Sequence, residues 1–227
     1  MQRKQFLRHL GALAGSAAIG PLIAACGGGT DAALGPTALT ADTIVPVAAQ
    51  ATIESLSADE FAGLKFMREE EKLAHDVYVA MDALWSHRTF ANIALSETTH
   101  TQAILSLLTK YGVDDPAAGK PAGVFEDPQL QALYDTLVKA GAASLVEGLK
   151  VGALIEETDI RDIVQRQALT DEADIVNVYG SLLCGSRNHL RAFNGALLDL
   201  GVTYSAQVIT QQEWDAIAYS TRETCGG

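Results

Sequence analysis

Glu97-Thr98-Thr99-His100 sets a carboxylate and an imidazole three residues apart, the spacing that puts both on one face of a helix. Such a pair can hold a divalent transition ion, since carboxylate oxygen and imidazole nitrogen are both ligands for iron, manganese and zinc. Glu70, Glu156 and His189 offer the same ligand types elsewhere in the chain. Other chemistries find little in the sequence. The 3 cysteines include no CxxC pair, neither GxSxG nor HExxH occurs, and Pro121 follows Lys120 where a phosphate loop needs Ser or Thr.

The segments that must carry these residues read as helices. Ser57-Ala58-Asp59-Glu60 is a capping box that starts a helix running to about Trp85. A second runs from about Thr89 to Tyr111 and stops at Gly112. The stretch from Asp114 to Asp127 holds Pro116 and Pro121 and reads as a loop, and Asp127-Pro128 then opens a short helix ending at Gly141. Ser144 to Glu147 caps a third long helix, a fourth follows Thr170-Asp171 and ends at Gly201, and Thr210 to Glu213 caps a last short one. No segment sustains the period-two alternation of a strand. The expected class is all-α: four long helices in a bundle, with a long crossover between the second and third and a short C-terminal helix.

At about 100° per residue, each long helix has an apolar stripe. Phe66, Met67, Leu73, Ala74, Val77, Met81 and Leu84 define the first, with Glu70 on its centre line and Glu69 and Glu71 read as solvated on either side. Glu97 and His100 lie within the second stripe, and Glu156 within the third, with Glu157 toward its edge. Ser186 and His189 lie within the fourth. Buried carboxylates persist when paired or bound to metal. No basic residue lies on the stripes at these levels, and four antiparallel helices bring their midpoints to one layer. Glu70, Glu97, His100, Glu156 and His189 are therefore expected to converge as metal ligands.

The stretches EEEKLAHDVY, FANIALSETTH, LIEETDI and GSRNHLRAF resemble a bacterial ferritin-like family catalogued as a domain of unknown function, over about Ser57 to Tyr219. Ferritin-like di-iron carboxylate proteins supply one Glu from each of two helices and a Glu-x-x-His from each of the other two. Glu97 and His100 match one such motif, Glu70 and Glu156 the single glutamates, and His189 the second histidine. The resemblance implies an iron or manganese cofactor, with zinc as the alternative, and oxidoreductase chemistry of the ferroxidase or peroxidase kind on dioxygen, peroxide or ferrous iron. The pattern breaks at Ser186, where the family motif has a glutamate. Three carboxylates leave two divalent ions one charge short, so the second ion is expected to bind weakly or not at all. Ser186, Glu157 and Tyr179 are candidates for the shell around the ligands. Competing readings are a non-enzymatic module with a structural or sequestered metal, and a metal-free bundle with a polar core.

Arg3 and Lys4 precede an uncharged run ending in Leu22-Ile23-Ala24-Ala25-Cys26. This resembles a bacterial lipoprotein signal over residues 1–25, with Cys26 as the lipidated residue; residues 26–55 read as a flexible tether and 56–227 as the bundle. The implied location is the periplasm, lipid-anchored, with the outer membrane favoured over the inner. A formal charge of -12 argues against nucleic acid as a partner, and loss of the leader removes Arg3, Lys4 and Arg8 but no acid. In that oxidising setting Cys184 is expected to pair with Cys225, with both free as the alternative. A homodimer is left open.

Overall fold

Ser57 starts the first helix with a reciprocal cap: its hydroxyl accepts from the Glu60 amide while the Glu60 carboxylate accepts from the Ser57 amide. The computed structural model describes residues 56–225, so Cys26, the leader and the tether lie outside the described residues. From this cap α1 (Ala58–Trp85) runs to Ser86, and His87 then caps α2 (Arg88–Tyr111). The end of α2 is Gly112 at φ +66°, a left-handed position that glycine takes without strain. Asp127 caps α3 (Pro128–Gly141), with proline where the missing N–H costs nothing. Ser144 caps α4 (Leu145–Gln167), α5 (Ala173–Asp199) follows a short link, and a second capping box at Thr210 starts α6 (Gln211–Ala218). The fold is all-α, with no strand among the described residues.

α1 packs on α2 and α4, and α5 packs on α4 and α2, so the four long helices form a ring in the order α1, α2, α5, α4. The connection from α2 to α4 is the expected crossover, with α3 lying on α1 and α4. Buried carboxylates tie it down: Glu69 accepts from the amides of Glu126 and Asp127, and Asp76 from that of Gly123. One apolar cluster around Leu64, Met67, Ile104, Leu108, Ile163 and Leu182 fills part of the interior. Tyr78, Phe90 and Phe193 stack elsewhere in it, with Phe193 within 5.2 Å of Tyr78 and 5.8 Å of Phe90 by ring centroid. Two readings of the first stripe need correction. Leu84 is 52% exposed, and Glu69 and Glu71 are buried together with Glu70. The physical reason is that α1 is covered on two sides, by α2 and by the crossover, so little of its middle turn faces water.

Candidate metal centre

The four long helices each bring polar side chains into one layer of the interior. Glu97 and His100 project from α2, Glu71 from α1, Glu156 and Asp159 from α4 and His189 from α5, all of them buried. Five of these six form two groups that share Glu97, with Glu71, Glu97 and His100 in one and Glu97, Glu156 and His189 in the other, and Asp159 belongs to neither. His100 Nδ1 lies 3.1 Å from Glu71 Oε2 and 2.8 Å from Glu97 Oε2. His189 Nδ1 lies 2.8 Å from Glu97 Oε1 and 3.5 Å from Glu156 Oε2. Glu97 therefore turns one oxygen to each imidazole. The two rings stack, with centroids 5.4 Å apart.

Much of this proximity is not hydrogen bonding. His189 Nδ1, both oxygens of Glu97, Glu156 Oε2, Glu71 Oε1 and both oxygens of Asp159 are buried without a hydrogen-bond partner. These atoms lie within contact distance of one another yet miss the alignment of a hydrogen bond. Unsatisfied buried groups are costly, and a set of carboxylate and imidazole donors that converge unpaired is the donor set of a divalent transition ion. The residues present thus fit such an ion on structural grounds.

The electrostatics follow from burial and mutual charge. Burial raises the Glu97 carboxyl, but the His189 and His100 charges outweigh it and hold Glu97 well below the usual range. Burial opposes protonation of His189, and the facing Glu97 and Glu156 overcome it to raise the imidazole to about 10. His100 is raised likewise, against burial, by Glu97 and Glu71. Glu71 is pushed up to about 7 by burial, with His100 opposing. Burial also raises Glu156 against the pull of His189, and raises Asp159 strongly with help from Glu71 and Glu70.

Surrounding groups fix the cluster in place. The Tyr78 hydroxyl donates to Glu156 Oε1 at 2.5 Å, and His189 Nε2 pairs with Ser96 Oγ at 2.8 Å. Gly185 lets the His100 ring pass: a Cβ there would lie 2.4 Å from Nε2. On the side of α2 and α5 the imidazoles border a groove of about 1010 Å³, lined also by Ser96, Asn188, Arg191 and Arg222 to Cys225. The tail that forms its rim is held by the Cys184–Cys225 disulfide and by Glu223, which accepts from Arg187 and Arg191.

Of the residues singled out from the sequence, Glu97, His100, Glu156 and His189 come together and Glu70 does not join them. Glu70 is buried one step around α1, where Asp162 faces it and the Arg166 charge reaches it; its neighbour Glu71 meets His100 instead. The expectation that no cation reaches these levels is corrected by the same Arg166. Glu157 is buried away from the cluster and accepts the amides of Gln207, Val208 and Ile209, pinning the segment before α6. Tyr179 belongs to the apolar cluster beside Arg166, and Tyr78 is the tyrosine at the site. Ser186 is fully buried, its hydroxyl donating to the Leu182 carbonyl within its own helix. From the sequence Glu71 reads as solvated and Tyr78 as a core tyrosine, and Asp159 has no assignment, although it follows Glu156 at the same three-residue spacing as His100 follows Glu97.

Residues 60–221 match the family model described as "Uncharacterized protein domain (DUF2202)". The chain is 45% identical over 170 residues to the uncharacterized protein MJ0754 of Methanocaldococcus jannaschii, covering 75% of this chain and 92% of that protein. It is similar to the crystal structure of the hypothetical protein MJ0754 from Methanococcus jannaschii, with a TM-score of 0.73 over 75% of this chain and 97% of that one.

Proposed function

The chain belongs to the DUF2202 family, and from the chemistry of its buried cluster we propose that it is a ferritin-like protein that binds iron or manganese between its four long helices. The observation that carries this reading is the convergence of unpaired carboxylate and imidazole atoms around Glu97. Four long helices with a crossover, and a Glu-x-x-His motif on α2, support the ferritin-like relationship. Glu71, Glu97, His100, Glu156 and His189 would hold the metal, Glu97 being common to both groups. A bound redox-active ion supplies electron transfer to or from dioxygen, peroxide or ferrous iron, an oxidoreductase activity of the ferroxidase or peroxidase kind.

The protein's own groups prepare that chemistry. The imidazoles keep Glu97 ionised, Tyr78 orients Glu156, and Ser96 fixes the His189 ring. The groove between α2 and α5 gives small molecules a path to the histidine edge. The Cys184–Cys225 disulfide supports the exported location, because such bonds persist in oxidising compartments. Lipid anchoring at Cys26 rests on the leader sequence.

Elemental analysis of the purified protein beside His100→Ala tests the reading. Iron or manganese in the parent, reduced at least about tenfold in the variant, is the expected result. Equal metal in both would overturn the ligand set. Zinc alone, with no oxidation of added ferrous ion, would overturn the redox activity and leave a metal-holding module.

A further inference from the structure

Ser186 stands where the ferritin-like pattern calls for a glutamate, which by itself leaves the site a carboxylate short for two divalent ions. The interior holds a further buried acid on another helix. Asp159 is 1% exposed, neither of its oxygens has a hydrogen-bond partner, and the charges that act on it are those of Glu71, Glu70, Glu156 and Glu97. It lies three residues after Glu156 on α4, and so shares its face. Arg161, whose charge also reaches Asp159, is held at 2.6 and 2.8 Å by the two oxygens of Asp162. Asp159 thus combines burial with two bare acceptor atoms beside the acidic layer, although its oxygens belong to neither group around Glu97. No structural use of it appears among the described residues.

Resting on the metal-binding reading above, we propose that Asp159 is the fourth carboxylate of a two-ion site, supplying from α4 the charge that Ser186 leaves missing on α5. Two divalent ions then meet Glu71, Glu97, Glu156 and Asp159, and the charges of this ligand set balance. Neutrality matters because an uncompensated charge in a low-dielectric interior is strongly unfavourable. His100 and His189 are placed one to each ion, since each belongs to a different group around the shared Glu97. Ser186 has its hydroxyl engaged with Leu182, so it adds no charge to the layer. This reverses the expectation that the second ion binds weakly or not at all.

The test is manganese stoichiometry in the full-length protein, stripped and reloaded with Mn(II), then measured by elemental analysis and electron paramagnetic resonance. The parent is expected to take up two ions with an exchange-coupled spectrum. Asp159→Asn is expected to keep one ion with an isolated-ion spectrum, the second being weakened at least about tenfold. The stripped variant should melt no lower than the stripped parent, since the change removes a bare buried carboxylate. One ion in the parent, or two equally tight ions in Asp159→Asn, would overturn the assignment of Asp159 while leaving a metal site standing. A parent that takes up one ion overturns it even where the variant does not fold. No ion in the parent would overturn the metal-binding reading itself, and this inference with it.

Discussion

Glu70 and Glu71 are neighbours on α1, both buried, and they meet different surroundings. The ring of His100 lies against Glu71, whereas Glu70 faces Asp162 and feels Arg166. A helical wheel assigns the centre of a stripe from the average of many apolar positions, and that average selected Glu70. What decides a ligand is the single side chain opposite, and this lies on a different helix. The difference predicts opposite results for two isosteric changes. Glu71→Gln should weaken metal binding by about tenfold or more, because an amide oxygen carries no charge to offer the ion. Glu70→Gln should leave metal affinity within about twofold and stabilise the ion-free protein by roughly 1–3 kcal/mol at neutral pH, by removing a carboxyl whose ionised form is disfavoured by burial. Metal titration and thermal melts of both variants check this, and a loss of affinity in Glu70→Gln as large as in Glu71→Gln would contradict it.

Helices position the site to the extent that their backbones can approach, and two glycines set that approach for α4 and α5. A Cβ on Gly152 of α4 would fall 2.3 Å from the Phe193 ring, and one on Gly185 of α5 would fall 2.4 Å from His100 Nε2. In an exposed helix, Gly→Ala would stabilise by about 1 kcal/mol. Here the gain is opposed by overpacking, which costs about 1–3 kcal/mol. Gly152→Ala is expected to lower stability while keeping metal binding, since it strikes an aromatic contact. Gly185→Ala is expected to lower metal affinity, since it displaces a ligand ring. Thermal melts paired with metal titration separate the two; equal affinity in Gly185→Ala and the parent would contradict the role of that close approach. At this scale the sequence was a good guide to the boundaries: Ser57, Gly112, Pro128, Ser144 and Thr210 mark helix ends by chemistry local to each position. Partners across helices were less legible. Glu69 and Glu157 look like surface or ligand acids in one dimension, yet each binds backbone amides of a loop more than fifty positions away in the chain. Asp159 carried a readable signal, its spacing from Glu156, but an aspartate three residues after a glutamate is common on solvated helices. Only the packing of α1 and α5 on α4 removes the water.

For the whole molecule, the acid excess of -12 has two parts with different energetics. Acids at the surface are solvated, and those in the central layer make stability depend on what occupies it. Glu71 is raised from an ordinary value of 4.5 to about 7 in the folded protein. As pH rises through that window the unfolded chain releases this proton before the folded one does, so folding loses stability. His189 is raised from 6.5 to about 10, and its contribution is full below 6.5 and lost as pH climbs toward 10. Both terms make the ion-free protein less stable with rising pH. Glu97, held low, opposes them only on the acid side, where its contribution is lost as pH falls. Metal binding has the reverse slope, because imidazole and carboxylate must shed protons to ligate and affinity therefore grows with pH. A bound ion stabilises in proportion to the logarithm of its concentration over its dissociation constant. The melting temperature of the ion-free protein is thus expected to fall between about pH 5.5 and 8, while the gap between loaded and ion-free protein widens over the same range. Paired thermal melts with Mn(II) and with a chelator measure that gap directly. A gap independent of pH would mean that the ion is held by groups outside the carboxylate and histidine layer.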